Sequence, residues 1–291
     1  KRENQTHLSA QTYPTDRWGR RYVVTPTINN NKEFVRLTAF EDNTIIFKNG
    51  VVLCTLGAYD TYQDTIYATA NYYESTKSFS CFLYTLTSSA LDNHTAGRPS
   101  MTPISPLEYS TNSLLFTTFT SSISDVLKEH YVNVVIHEDF VKSMYLDGSL
   151  CSPSDFNNEI MVGGEKYKYA QIPITANAHR LNNTETTGLF TARVYGMGTD
   201  GDNGESYAYA AGSRVSRKID ILVDGKYVPE KTICKGAPAI EFEGVIGFDI
   251  DSDDEVKWCI KEVGNIECDT IIDEKDGNYI MSHYFTTDSV D

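Results

Sequence analysis

Phe34-Val-Arg-Leu-Thr-Ala-Phe-Glu-Asp, followed by Ile45-Ile-Phe-Lys-Asn-Gly, decides how this chain reads. The first run alternates apolar and polar side chains through Ala39, the period-2 pattern of a half-buried strand. The second is β-branched and aromatic and closes on Asn49-Gly50, a dipeptide suited to the positive φ angles of a two-residue hairpin turn. The same signature returns as Tyr131-Val-Asn-Val-Val-Ile-His-Glu-Asp, then Ser143-Met-Tyr-Leu-Asp-Gly. A β-run ending in Glu-Asp, then a run closing on Asn/Asp-Gly, reads either as a duplicated unit or as hairpins recurring in successive sandwiches.

Outward from these segments the pattern continues. Arg21-Tyr-Val-Val-Thr, Lys218-Ile-Asp-Ile-Leu-Val and Gly244-Val-Ile-Gly-Phe-Asp-Ile are strand-like. Gly163-Gly164, Asp224-Gly225 and Asp276-Gly277 supply further turns. Sustained 3.6-residue periodicity is lacking, and the best helix candidate, Ile123 to His130, is only about two turns long. The expected fold is all-β: tandem β-sandwiches of jelly-roll or Ig-like kind with a third, acidic β module, stabilised by disulfides. The expected organisation is an N-terminal extension (1–16), sandwiches over 17–105 and 106–215, and an acidic C-terminal β domain over 216–291, since sandwiches run to about 100 residues.

Composition narrows the function classes. The chain has 291 residues, 40% of them apolar, with 19 Tyr and 13 Phe, which is ample material for real cores. The formal charge is −15, so a phosphate-binding surface, and with it a nucleic-acid partner, is not expected. No uninterrupted apolar run of about 18 residues occurs, so membrane insertion within this segment is not expected. The opening Lys-Arg-Glu-Asn lacks an initiator Met and a leader pattern, as expected of a processed protein or an excised fragment. Acidity concentrates late: residues 216–291 carry 8 basic and 18 acidic side chains, a net of −10, against −5 for the rest.

Six cysteines, Cys54, Cys81, Cys151, Cys234, Cys259 and Cys268, show no Cys-x-x-Cys spacing. An even count without metal spacing points to disulfides, with buried free thiols as the other reading. Three lie on each side of residue 215, so full oxidation within the chain requires one crossing bridge. The expected pairs are Cys54–Cys81, Cys151–Cys234 and Cys259–Cys268. Sequons at Asn4, Asn93 and Asn182 sit in polar, loop-like stretches and read as glycosylation sites. Together these features suggest a secreted or cell-surface glycoprotein.

Several ordered blocks carry a family resemblance. They are Trp18-Gly-Arg-Arg-Tyr-Val-Val-Thr-Pro; Val35-Arg-Leu-Thr-Ala-Phe-Glu-Asp-Asn-Thr; Gly97-Arg-Pro-Ser-Met-Thr-Pro-Ile-Ser-Pro; His179-Arg-Leu; Val194-Tyr-Gly-Met-Gly; and Ser206-Tyr-Ala-Tyr-Ala-Ala-Gly. Residues 14–215 thereby resemble the N-terminal domain family of IgG Fc-binding mucus proteins. Arg98 stands where that family often has an acidic residue, and Ala208 and Ala210 where Gly and Pro are common. The resemblance implies an extracellular adhesion, mucus or matrix role without catalysis; it does not imply Fc binding. Within its blocks, Arg98, Met101, Tyr207 and Tyr209 are the interaction candidates.

Other chemistry reads weakly. Gly196-Met-Gly-Thr-Asp-Gly matches a dinucleotide fingerprint, but turn sequence follows it where a helix is required, so a glycine-rich loop is expected. Asp200 and Asp202, and Asp249, Asp251 and Asp253, are Ca2+ candidates; neither set fits an EF-hand loop, and a solvated strand end is the plainer account. The six His residues are scattered, with no His-Glu-x-x-His and no Gly-x-Ser-x-Gly. Tyr67, Tyr72, Tyr73, Tyr207 and Tyr209 lie near predicted loops or strand ends, where exposed Tyr offers rigid contact area, although a buried strand Tyr with a satisfied hydroxyl is the commoner case. Trp18 reads as a core or sheet-end anchor. The leading expectation is a secreted, non-catalytic structural or adhesion module contacting extracellular proteins or glycans, by self-assembly or with neighbouring domains of a longer chain. A cell-surface receptor or lectin domain is the second reading and a glycan-acting hydrolase the third.

Overall fold

The computed structural model describes residues 8–86, 99–119, 127–198 and 206–213, together with the backbone of strands lying between 219 and 285. Contact density divides the chain into two units, Lys1–Val162 with Lys166–Ser216, and Gly163–Glu165 with Arg217–Asp291. The fold is all-β, with curled antiparallel sheets.

In the first unit, residues 19–103 supply β1 (Gly19–Val24), β2 (Glu33–Ala39), β3 (Thr44–Lys48), β4 (Val51–Leu56), β5 (Thr61–Ile66), β6 (Asn71–Tyr84) and β7 (Met101–Pro103). They form one seven-stranded sheet rather than the two facing sheets expected over 17–105. The cause is β6, a strand of 14 residues that changes partners midway. Its first part, Asn71–Glu74, pairs with β1, and Tyr73–Ser75 with β3. Its second part, Phe79–Tyr84, pairs with β2, and Phe82–Tyr84 with β7. The exchange curls the sheet around a core of Tyr22, Val35, Leu37, Ile46, Tyr73 and Phe79, all buried. Each such side chain contributes about 1.5–3 kcal/mol by leaving water.

Residues 113–210 supply β8 (Ser113–Thr117), β9 (Glu129–His137), β10 (Met144–Leu146), β11 (Ser149–Leu150), β12 (Asn158–Val162), β13 (Glu165–Ile174), β14 (Ala178–Asn183), β15 (Phe190–Met197) and β16 (Ser206–Ala210). They build a four-stranded sheet, β11-β10-β14-β8, and a five-stranded sheet, β12-β13-β9-β15-β16. Leu114, Phe116, Met144 and Leu181 of the first share a core with Val132, Val134, Phe190 and Val194 of the second. His130, expected at the end of a short helix, lies in β9; residues 123–126 fall outside the described residues.

The recurring sequence signature corresponds to one recurring device. Asn49 and Asp147 both open two-residue turns at φ 51° and 52°, followed by Gly50 and Gly148 at 80° and 79°. Each turn residue donates its backbone N–H to a neighbouring strand: Asn49 to the Tyr72 carbonyl at 2.8 Å, Asp147 to the Arg180 carbonyl at 2.9 Å. Each also accepts through its side chain, the Tyr72 amide at 2.8 Å on Asn49 Oδ1 and the Arg180 amide at 2.8 Å on Asp147 Oδ1. The runs before the turns differ. The first passes directly from β2 to β3 within one sheet, whereas the 3-10 turn Glu138–Ser143 carries the second across to the opposing sheet.

The outer face of the five-stranded sheet is sealed against the first half by a polar seam. Alternation along β9 and β15 sends Val132, Val134 and Val194 into the core and Asn133, Arg193 and Tyr195 to the other side. There Asn133 Nδ2 donates to Thr25 Oγ1 at 2.9 Å and the Pro26 carbonyl at 2.8 Å. The Arg193 guanidinium donates to Thr27 Oγ1 and the Thr25 carbonyl and lies over the Tyr195 ring. Tyr195 donates to Asn133 Oδ1 and accepts from the Ile28 amide. Glu33, 1% exposed, closes the loop by accepting from the Thr27 amide at 2.9 Å. Burial lifts the Glu33 carboxyl above its ordinary range and lowers Arg193, each opposed by the other's charge.

The second unit holds β17 (Ile219–Val223), β18 (Lys226–Tyr227), β19 (Ile240–Ile246), β20 (Trp258–Glu262), β21 (Asn265–Asp269), β22 (Asp273–Lys275) and β23 (Asn278–Phe285). Five of these form a sheet ordered β18-β17-β19-β23-β22, while β20 and β21 form a two-stranded ribbon.

The expected Cys54–Cys81 disulfide is corrected in the first unit. Cys54, Cys81 and Cys151 are free thiols. Cys54 lies on β4 opposite Ile46, and Cys81 on β6 opposite Leu37, with β3 between their strands. Two strand spacings alone amount to about 9.5 Å, and Cys54 is level with Ser75 rather than Cys81, so the pair lies beyond the roughly 7 Å a disulfide can span. Burial raises the thiols of Cys54 and Cys81, and that of Cys151 to about 11. Cys234 lies outside the described residues.

Candidate recognition groove

Two sheets end side by side near residues 115 and 208, β8 closing the four-stranded sheet and β16 the five-stranded one. Between them lies an apolar groove of about 470 Å3, lined chiefly by Leu115, Phe116, Phe119, Tyr207, Tyr209 and Ala211. Leu115 is 78% exposed and Phe119 58%, so the groove opens directly to water.

Sequence places the two tyrosines. Residues two apart on a strand share a face, so Tyr207 and Tyr209 stand together, ring centroids 6.2 Å apart at 23°. Phe119 lies 6.0 Å from the Tyr207 ring. A row across three strands fixes Tyr207: it pairs with Gly196 of β15, which pairs with His130 of β9. The His130 imidazole and the Tyr207 hydroxyl meet over the glycine, Nδ1 to oxygen at 2.9 Å. A Cβ on Gly196 would stand 2.3 Å from Tyr207 Cε1 and 2.8 Å from His130 Nδ1, so only glycine fits. The Tyr209 hydroxyl donates to the Thr117 carbonyl on the edge of β8.

Electrostatically the groove is neutral. Burial pushes both tyrosine hydroxyls above the ordinary phenol value, and burial with the nearby His179 lowers His130. With both hydroxyls engaged inside the protein, the tyrosines present ring faces outward. That favours apolar contact over polar recognition.

Of the residues singled out from sequence, Tyr207 and Tyr209 are in this groove. Met101 lies in β7 opposite Tyr84 and is not among the groove residues. Tyr67 is exposed. Tyr72 and Tyr73 are not contact residues: both are buried, donating to Glu74 at 2.7 Å and Asp64 at 2.6 Å. Trp18 is a buried anchor, its indole donating to the Tyr13 carbonyl and its ring edge-on to Phe40. Asn182 sits within β14, paired to Tyr145 on one side and Ser113 on the other, rather than in a loop. Gly196 and Met197 belong to β15, so the start of the glycine-rich motif is strand. Arg98, Asn4, Asn93, Asp200, Asp202, Asp249, Asp251 and Asp253 lie outside the described residues. Among the described residues no cluster of His, Cys, Asp and Glu could hold a metal ion.

Leu115, Phe119, His130 and Gly196 escaped the sequence reading as site residues. One signal was present: Leu114-Leu115-Phe116 puts three apolar residues in a row on a strand, and one face of a sheet can bury only alternate ones.

Comparison with known proteins locates the chain. No curated protein matches it in sequence. Among solved structures, the apo form of Pleurotus ostreatus lectin is similar at 13% identity, covering 65% of this chain and 74% of the lectin, with a TM-score of 0.19. A β-glucuronidase from Ruminococcus gnavus, crystallised with an N1-substituted uronic isofagomine, is similar at 10% identity and a TM-score of 0.17, covering 71% of this chain and 38% of that one. Superpositions this loose carry no argument about fold or activity. The model of the IgGFc binding protein family, by contrast, matches residues 1–196, a span running from the N-terminus into β15. The chain belongs to the IgGFc-binding protein family.

Proposed function

We propose that the chain is an extracellular, non-catalytic adhesion module that holds an extended apolar segment of a partner protein in the groove between β8 and β16. The observation that carries this reading is the pairing of an exposed aromatic floor with an open strand edge. The Thr118 amide bonds back toward β14 through the Asn177 carbonyl. Alternation along an antiparallel strand therefore leaves the backbone groups of Ser113, Leu115 and Thr117 facing away from β14; Thr111 Oγ1 already meets both groups of Ser113 and the Tyr209 hydroxyl meets the Thr117 carbonyl, so Leu115 carries the edge left for a partner. An incoming strand can pair with that edge while its alternate side chains cover Leu115, Phe119 and Tyr209. Membership of a family described by protein binding supports a protein partner and a binding role.

Peptide display tests this directly. The full chain, immobilised and panned against a random peptide library, is expected to enrich sequences alternating apolar and polar residues, and Leu115→Lys is expected to abolish their capture. Saturable binding to sugars on a glycan array, unchanged by Leu115→Lys and without peptide enrichment, would replace this reading by the lectin one. Self-association lost in Leu115→Lys would instead make a second copy the occupant.

A further inference from the structure

We infer that Cys259 and Cys268 are joined by a cross-strand disulfide that closes the ribbon formed by β20 and β21. Register is the first ground. The two strands pair antiparallel with Cys259 directly opposite Cys268, and their last pair is Glu262↔Asn265, with two residues between them in sequence. In a ribbon with a two-residue connection the closing pair exchanges both its backbone hydrogen bonds, and pairs alternate from there. Lys261↔Ile266 is thus a non-hydrogen-bonded pair, Ile260↔Glu267 a hydrogen-bonded one, and Cys259↔Cys268 again a non-hydrogen-bonded one. At such positions Cα atoms stand about 4.5 Å apart. That is inside the span of roughly 4.4–6.8 Å that a disulfide accepts.

Sheet order is the second ground. Among the described strands, β20 and β21 pair only with each other, at five residues apiece. A two-stranded ribbon of that length is marginal in water by itself, and a covalent link between its arms removes much of the open chain's freedom. The first unit offers the contrast. Cys54 and Cys81 sit on strands kept apart by β3, whereas Cys259 and Cys268 occupy paired register positions on adjacent strands.

The chemistry balances with an oxidised dithiol carrier as electron acceptor. One cysteine thiolate attacks the carrier's disulfide and forms a mixed disulfide. The second thiolate then displaces the carrier, which leaves as a dithiol with both electrons and both protons.

The test uses the full chain secreted from a eukaryotic culture, alkylated under acid without reductant and digested with trypsin. Cleavage after Lys257, Lys261 and Lys275 separates the cysteines, so a linked pair Trp258–Lys261 plus Glu262–Lys275, two hydrogens lighter than its parts, is the expected product. Reduction before alkylation should abolish that species, and Cys259→Ser should leave Cys268 alkylated. Recovery of both peptides singly alkylated without reductant, or of either cysteine bound to a different one, overturns the linkage. Neither outcome bears on peptide capture by the groove.

Discussion

Tyr195 and Tyr207 lie on adjacent strands of one sheet, yet one is buried in a seam and the other lines an open groove. Tyr195 faces the loop of residues 25–30, where Asn133, Arg193 and Glu33 hold the Thr25 and Pro26 carbonyls and the Thr27 amide in hydrogen bonds. Tyr207 faces the opposite side, where the neighbouring sheet ends one strand short of covering it. Both hydroxyls are satisfied, so polarity does not separate the two sites. Coverage does. A tyrosine becomes mortar where a second layer reaches over its ring and a contact surface where the layer stops.

The largest test of this contrast removes the seam's cation. Arg193→Ala leaves the Thr27 hydroxyl and the Thr25 carbonyl without their buried donor, at about 1–3 kcal/mol each, and removes the charge that opposes burial of Glu33, so it should cost about 2–5 kcal/mol in urea unfolding. A loss below about 1 kcal/mol would mean that the seam contributes no more than exposed surface does. Next, Gly196→Ala drives a methyl into the Tyr207 ring and should cost about 1–3 kcal/mol through overpacking. It should also weaken peptide capture, since the His130–Tyr207 row cannot close; unchanged capture would show that this row does not shape the groove.

A pH experiment sharpens the comparison between the two turns. Burial raises Asp147, but hydrogen bonds from the Arg180 amide and His179 outweigh it and hold the carboxyl below its ordinary value. A depressed carboxyl stabilises the fold above its unfolded pKa of about 3.9, and that contribution is lost as pH falls toward the folded value. Asp147→Asn should therefore narrow the difference in Tm between pH 7 and pH 3, whereas Asn49, uncharged in the equivalent turn, gives its hairpin no such dependence. An undiminished acid loss in Asp147→Asn would place the titrating group elsewhere. The smallest stability effect belongs to Leu115→Ser, within about 0.5 kcal/mol because the side chain is already in water. Peptide capture should nonetheless fall.

Strands and turns were legible because they are local. Phe34–Ala39 alternates, and Asn49-Gly50 and Asp147-Gly148 take the positive φ angles their composition implies. What was not legible depends on partners far away in sequence. Tyr72 and Tyr73 can be exposed or buried on sequence grounds, and only the flanking of β6 by β1 and β3 decides for burial. Cys54 and Cys81 look like a bridge until β3 is found between their strands. The groove was half legible: Tyr207 and Tyr209 stood out, but Gly196 makes sense only when His130 and Tyr207 are seen to meet over it.

The long strand β6 has a consequence for how the chain is born. β2 with β5 and β3 with β4 are joined early in the chain, but among the described strands β1 pairs only with β6. As the polypeptide leaves a ribosome, Arg21–Val24 must wait, its apolar residues unclaimed, until Asn71–Glu74 emerges. Chaperones that recognise nascent apolar segments have their clearest window on this protein during that interval.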